Sequence, residues 1–286
     1  MEKKAGSLYL VGTPIGNLED MTFRAVKVLQ EVDLIAAEDT RHSRKLLTHY
    51  DIHTPLTSYF QHNQKAKGPI LIEQLLQGQN IALITDAGMP GISDPGYDLV
   101  VMAQEQGIQV IPIPGPSASI AALVVSGLPT DRYAFEGFLP REEKVKKARL
   151  EQIRQEERTL IFYEAPHRLK KTLSSLFTCL GDRKAAAARE ITKKYEEVQR
   201  GTIGSLLEYY QHHDPKGEFT LIVAGREQVP VAAEKKDLQE IVEEIFSMEA
   251  QGLDRKVVLK ELAQKYSLPK RELYQAVIAT KEKNQA

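Results

Sequence analysis

Six short segments of this chain concentrate the residue types that bind ligands or move protons. The longest is Thr85-Asp86-Ala87-Gly88-Met89-Pro90-Gly91-Ile92-Ser93-Asp94-Pro95-Gly96. Three Gly, two Pro and two Asp in twelve residues cannot continue a strand or a helix. The segment reads as a glycine-rich wall for a flat ligand, with Asp86 at a strand end, or as a surface loop. Pro114-Gly115-Pro116-Ser117-Ala118-Ser119 is a tight turn into a helix, with side chains small enough for a ligand to lie close. Phe162-Tyr163-Glu164-Ala165-Pro166-His167-Arg168 and Ala188-Arg189-Glu190-Ile191-Thr192-Lys193-Lys194 put acids, bases and aromatics where two strands stop. For His167 the plain alternative is a helix-start histidine without chemistry, and for Arg189 and Glu190 an ion pair. Asp39-Thr40-Arg41-His42 offers a carboxylate and two bases, or simply a helix cap followed by a solvated turn.

The sixth segment, Gly12-Thr13-Pro14-Ile15-Gly16-Asn17, is informative for what it lacks. It has no G-x-G-x-x-G pattern, and Pro14 and Ile15 stand where a dinucleotide loop offers N–H groups to phosphate. No G-x-x-x-x-G-K-[ST] run exists either. A ligand here is not held by phosphates. The seven histidines form no H-x-x-x-H spacing and there is no C-x-x-C, so no metal is expected. No G-x-S-x-G elbow supports a Ser-His-Asp triad. Cys179, the single cysteine, falls on a helix-patterned stretch as a small apolar side chain.

These segments need elements to hold them. Leu8-Tyr9-Leu10-Val11, Leu34-Ile35-Ala36-Ala37, Ile81-Ala82-Leu83-Ile84 and Val110-Ile111-Pro112-Ile113 read as buried strands, and 55–60 as a more polar edge strand. Helical spacing over 22–32, 71–76 and 99–103 lies between them. Continuous apolar strands alternating with helices predict a parallel sheet covered on both faces. A second cycle follows Gly127-Leu128-Pro129, with strands at 133–139, 160–163, 185–191 and 219–225 and helices at 143–157 and 169–180, which predicts a second α/β half with a mixed sheet. Beyond Val229-Pro230-Val231, Leu238, Ile241, Val242, Ile245 and Phe246 mark an amphipathic helix ended by Gly252. Two shorter stripes, separated by Ser267-Leu268-Pro269, resemble a helix-turn-helix pair. The expected division is 1–128, 129–228 and 229–286, two α/β domains and a small all-α tail.

With 286 residues, 42% hydrophobic and 27% charged, the composition is that of a globular protein, not a collagen, a disordered chain or a disulfide scaffold. No apolar run reaches the ~18 residues of a membrane helix, and the first residues lack a signal-peptide core. One cysteine fits a reducing, cytoplasmic setting. The net charge of −1 averages opposite regions: 226–250 hold three basic and seven acidic groups, 251–286 eight basic and four acidic. Lys270 and Arg271 open the last helix, where positive charge opposes the helix dipole. That placement suits phosphate contacts better than stability.

Taken together, Val11–Leu18, Ala37–Arg41, 85–96, Pro114–Ala118, Gly137-Phe138-Leu139-Pro140, Tyr163–Arg168 and Ala188–Thr192 resemble, in order, the tetrapyrrole methylase-like superfamily. Within it they are similar to the bacterial enzymes that methylate the ribose 2′-oxygen of a cytidine in 16S rRNA of the small ribosomal subunit. The resemblance implies two α/β domains with S-adenosylmethionine in the cleft between them, and a homodimer. It implies donor contacts at Pro14, Ile15, Asp86, Gly88, Met89, Ser117, Ala118, Phe138, Tyr163, Ala188, Thr220 and Leu221. By motif position Glu190, Glu164 and Asp39 are candidate catalytic carboxylates. Arg41, His167, Arg168, Arg189 and Lys193 are candidate RNA-phosphate or alkoxide partners, and Lys270 and Arg271 candidate RNA contacts in the tail. The alternative is a superfamily member acting on a tetrapyrrole precursor. Such enzymes typically carry a G-G-D-P-type loop where this chain has Thr85-Asp86-Ala87-Gly88, and lack a basic tail.

Overall fold

The computed structural model describes residues 4–227, 236–266 and 268–283. The Val229-Pro230-Val231 break, the 228/229 boundary and Ser267 lie outside them. The chain forms two compact units, 1–226 and 227–286.

The first unit holds two five-stranded sheets. In the first, β1 (Ser7–Val11), β2 (Leu34–Ala37), β3 (Leu56–Ser58), β4 (Ile81–Ile84) and β5 (Gln109–Ile113) run in the order β3-β2-β4-β1-β5, all parallel. All four residues of β4 are buried, as a strand covered on both faces requires. One face packs α1 (Phe23–Glu31) and α2 (Thr40–His49) through Ala25, Leu29 and Leu47. The other packs α3 (Gln64–Leu76) and α4 (Tyr97–Glu105) through Leu71, Leu75 and Leu99. The polar strand β3 is an edge.

The second sheet is mixed. β6 (Tyr133–Phe138) and β7 (Thr159–Glu164) are parallel, and β10 (Phe219–Val223) enters antiparallel between β7 and β8 (Lys184–Arg189). β9 (Glu197–Thr202) closes the order β6-β7-β10-β8-β9. α6 (Glu143–Gln152), α7 (Pro166–Leu180) and α8 (Ile203–His212) complete this half, and Leu150, Leu173, Leu176 and Leu206 pack in its core. Cys179 lies against that core, half-buried. The opposite face is covered by α5 (Ala118–Ser126), whose Ala122 and Leu123 pack on Ile161, Ala186 and Ile222. By packing, then, α5 joins the second sheet although it precedes the 128/129 boundary drawn from sequence.

The second unit is three helices, α9 (Leu238–Ala250), α10 (Arg255–Lys265) and α11 (Lys270–Lys283), around Ile241, Ile245, Val258, Leu262, Leu273 and Val277. Its Glu244 accepts hydrogen bonds from Lys236, Lys265 and Tyr266. Those bonds, from Lys236 first, hold its carboxyl down at about 2. Lys236 and Lys265 are therefore committed, whereas Lys270 and Arg271 are exposed. Among the described residues no helix is long and apolar enough to cross a membrane.

Candidate active-site cleft

Parallel strands end on one edge of a sheet, so the loops after β1, β4 and β5 meet there. They are locked by backbone. The Gly12 N–H donates to the Ile113 carbonyl (3.0 Å), and Thr13 and Gly88 exchange two bonds of 2.9 and 3.0 Å. The Thr13 hydroxyl donates to the Thr85 carbonyl at 3.0 Å. A Cβ on Gly12 would lie 2.8 Å from both Gly115 Cα and Met89 Sδ, so these loops pass each other without room for a side chain.

The opposing wall is made of side chains. Cross-strand register puts Phe138 beside Tyr163, Tyr163 beside Thr220, and Thr220 beside Ala188, one row across four strands. A bulge between Phe135 and Gly137, with Gly137 at φ +61°, sets Phe138 into that row. The Tyr163 ring meets Phe135 edge-on at 5.0 Å and Phe138 at 5.6 Å.

Between the walls lies a cleft of about 500 Å³. It is lined by nine of the twelve expected donor-contact residues. Ile15, Gly88 and Met89 come from the first two loops and Ser117 and Ala118 from the start of α5. Phe138, Tyr163, Ala188 and Thr220 form the row. Pro14 is buried behind the lining. Asp86 stands beside the cleft, its N–H donating to Glu38 (3.4 Å) and its carboxylate accepting from the Asp39 N–H (3.3 Å). Leu221 is the correction. Side chains alternate along a strand, so with Thr220 facing the cleft Leu221 faces away, packed with the core under α7.

Several lining residues escaped the sequence reading. Asp94, near the end of the long loop, lines the cleft. Burial, then the charges of Glu38 and Asp86, pushes its carboxyl up to about 7. Burial likewise raises Glu38. Two carboxylates within one turn-rich loop were the available signal. Glu218 is a second such residue, and it acts together with Glu190 and Lys193. Lys193 Nζ reaches Glu190 Oε1 at 3.0 Å and Glu218 Oε2 at 2.8 Å, and the Glu218 N–H donates to Glu190 at 2.8 Å. The Lys193 stem lies on Gly16, where a Cβ would come within 2.3 Å of its Cγ, tying the first loop to the second wall.

The three candidate carboxylates fare differently. For Glu190 burial opposes ionisation, but the Glu218 N–H and Lys193 outweigh it and the pKa is lowered. Glu190 sits at φ +49°, and Gly217 leaves the space its carboxyl needs. Glu164 is fully buried and occupied: Thr172 donates to one oxygen (2.5 Å), the Ala165 N–H (2.9 Å) to the other, with Arg168 Nε 3.4 Å away. Each oxygen accepts one hydrogen bond that braces β7 to α7, and Glu164 also lines the cleft. Asp39 caps α2, accepting from the Arg41 N–H at 2.8 Å and the His42 N–H at 3.4 Å, and chiefly the first of these lowers its pKa. It is exposed and does not line the cleft.

Of the candidate RNA partners, Arg41 and His167 are exposed in the first turns of α2 and α7. Arg168 is engaged by the Leu139 carbonyl (2.7 Å) and Glu164. Arg189 pairs with Glu197 (3.1 Å) rather than with Glu190. Among the described residues no group of three His, Cys, Asp or Glu side chains is arranged to hold a metal ion.

The family model of tetrapyrrole (corrin/porphyrin) methylases matches residues 7–207, from β1 into α8. The chain belongs to this family. Its relatives include "Ribosomal RNA small subunit methyltransferase I" of Synechocystis sp., 52% identical over 94% of this chain and 96% of the relative. A protein of the same name from Halalkalibacterium halodurans is 49% identical over 94% and 93%. The uroporphyrin-III C-methyltransferase of Thermus thermophilus shares the methylase fold, with a TM-score of 0.53 over 77% of this chain and 94% of that one, at 21% identity. The two α/β sheets are therefore those of a tetrapyrrole methylase fold.

Proposed function

We propose that this methylase transfers a methyl group from S-adenosylmethionine to the ribose 2′-oxygen of a cytidine in 16S rRNA of the small ribosomal subunit, acting as a cytoplasmic homodimer. The observation that carries the donor assignment is the character of the cleft. Its walls are glycine backbone and aromatic side chains, its loops offer no phosphate cradle, and a carboxylate cluster of Asp94, Glu38 and Asp86 stands at one side without a basic partner among the described residues. A ligand with a flat base, no phosphate and a positive centre fits that set. The names of the relatives support the rRNA substrate.

When bound, the donor supplies a methyl group already activated by a sulfonium. The chain's own work is then alignment of the nucleophile and stabilisation of its developing charge. Phe138, Tyr163, Thr220 and Ala188 form one row of the cleft, and Gly88 with Met89 lies on the facing wall. Lys193 is the cation available to a developing alkoxide, oriented by Glu190 and Glu218. Glu190, with its pKa lowered, is a weak proton acceptor and serves better as the holder of Lys193.

Two measurements test this reading. Calorimetry should show S-adenosylmethionine binding, and absence of binding overturns it. Incubating labelled donor with small subunits from a strain lacking such an enzyme should place label on a ribose. Label on a base, or transfer only to a tetrapyrrole, overturns the substrate assignment.

A further inference from the structure

The net charge of −1 hides a second segregation besides the tail. Residues 40–72 hold five Lys or Arg against one Asp, a net of +4, together with four of the seven histidines. The fold brings the two stretches that carry it to neighbouring strand ends. β2 and β3 are parallel neighbours paired up to Ala37 and Ser58, and the Tyr59 N–H still donates to the Ala37 carbonyl at 2.8 Å. The chain thus leaves both strands side by side at the outer corner of the sheet, on the edge that carries the cleft loops. From β2 it enters α2, and from β3 it turns through Phe60 and His62 into α3.

α2 has no acidic residue. It buries Ser43, Leu46 and Leu47, so Arg41, Arg44 and Lys45 point to solvent. Among the described residues none of the three has a carboxylate within ion-pair distance, although the Arg41 charge helps to lower the pKa of Asp39. Across the corner Lys65 is exposed, and Phe60, 37% exposed, meets His62 edge-on. Cations in the first turn of a helix oppose its dipole, and here only the Asp39 cap offsets them. Exposed cations at the end of one strand and an exposed aromatic ring at the end of its neighbour suit an RNA strand, phosphates on the one and a base on the other.

We infer that this corner of α2, the 59–63 turn and the start of α3 is a docking surface for the phosphate backbone of the RNA substrate. The inference rests on the proposed rRNA activity and assigns it a surface distinct from the cleft and from the tail.

The test is the full-length triple variant Arg44→Gln, Lys45→Gln, Lys65→Gln. Binding of small ribosomal subunits should lose about 0.7–0.9 in log–log salt slope for each phosphate contact removed. KM for the subunits should rise roughly tenfold, while donor affinity and melting temperature hold. The substitutions Lys144→Gln and Lys147→Gln, on exposed α6, serve as the charge control. An unchanged slope and KM in the triple variant overturns the inference, as does an equal loss in the control. A wild-type protein that binds donor but methylates no ribosomal RNA overturns the underlying activity, a result distinct from either.

Discussion

The two walls of the cleft solve one problem with different materials. The first is shaped by backbone: Gly12 against Gly115, and Thr13 bridged to Gly88. The second is side chains in register, from Phe138 to Ala188. Their carboxylates differ just as sharply. Asp94 on the first wall has only other acids near it and is pushed up to about 7, whereas Glu190 on the second is paired with Lys193 and pulled down. One cleft thus holds an acid that gains from an incoming cation and another already satisfied. The first wall is suited to recognising positive charge, the second to holding a cation of its own.

If shape on the first wall is set by backbone, it should tolerate least. Gly12→Ala places a Cβ 2.8 Å from Gly115 Cα, and overpacking of that kind costs about 1–3 kcal/mol. Calorimetry should show donor affinity falling at least about tenfold; an unchanged Kd would mean the loops move apart freely. On the second wall, Glu190→Gln should reduce kcat roughly tenfold with donor Kd unchanged, since it releases Lys193 rather than reshaping the slot. Gly217→Ala, whose Cβ would fall 2.4 Å from Glu190 Cδ, should reproduce that kinetic pattern. Unchanged turnover in both variants removes the pair from the reaction.

The contrast in charge gives a pH test. Asp94, with its pKa raised on folding, binds more protons folded than unfolded between about 4 and 7. Its contribution to stability is full below the unfolded pKa near 4 and is lost as pH rises to about 7 and beyond. Asp94→Asn should therefore raise the melting temperature of the free protein at pH 8 more than at pH 5. Donor affinity should rise from pH 6 to 8 in the wild type, as the carboxylate forms, and stay flat in the variant. Equal slopes would separate Asp94 from the donor. Smallest of all, Tyr163→Phe keeps the ring and the row, and should change donor affinity by less than about threefold.

The strands that carry the site were legible because they are apolar and buried. Leu34–Ala37 and Ile81–Ile84 match their expected bounds, and the polar 55–60 segment contains an edge strand. β9, Glu-Val-Gln-Arg-Gly-Thr, left no apolar run because an edge strand need not be buried on both sides. α2 read as a cap and a turn because its apolar stripe is only Leu46 and Leu47, the rest of the helix being given to charge. α5 packs forward onto the second sheet, which no local pattern announces. Within the cleft the motif loops marked the lining well, since each follows a strand. The Leu221 side chain follows strand alternation into the core, away from the face that carries Thr220. Asp94 and the Glu218 partnership depend on tertiary approach, which spacing alone does not reveal.

β10 has a bearing on the order in which the molecule is completed. It is the last strand among the described residues, yet it sits in the middle of its sheet, hydrogen-bonded to β7 on one side and β8 on the other. Until residues 219–223 have been synthesised, β7 and β8 each present a bare edge, and the row of the second wall has a gap where Thr220 belongs. The first sheet can close once β5 has emerged, about a hundred residues earlier. A nascent chain therefore carries one finished wall for much of its synthesis and acquires the other in a single late insertion, so that ligand capture reports on a complete pair of sheets.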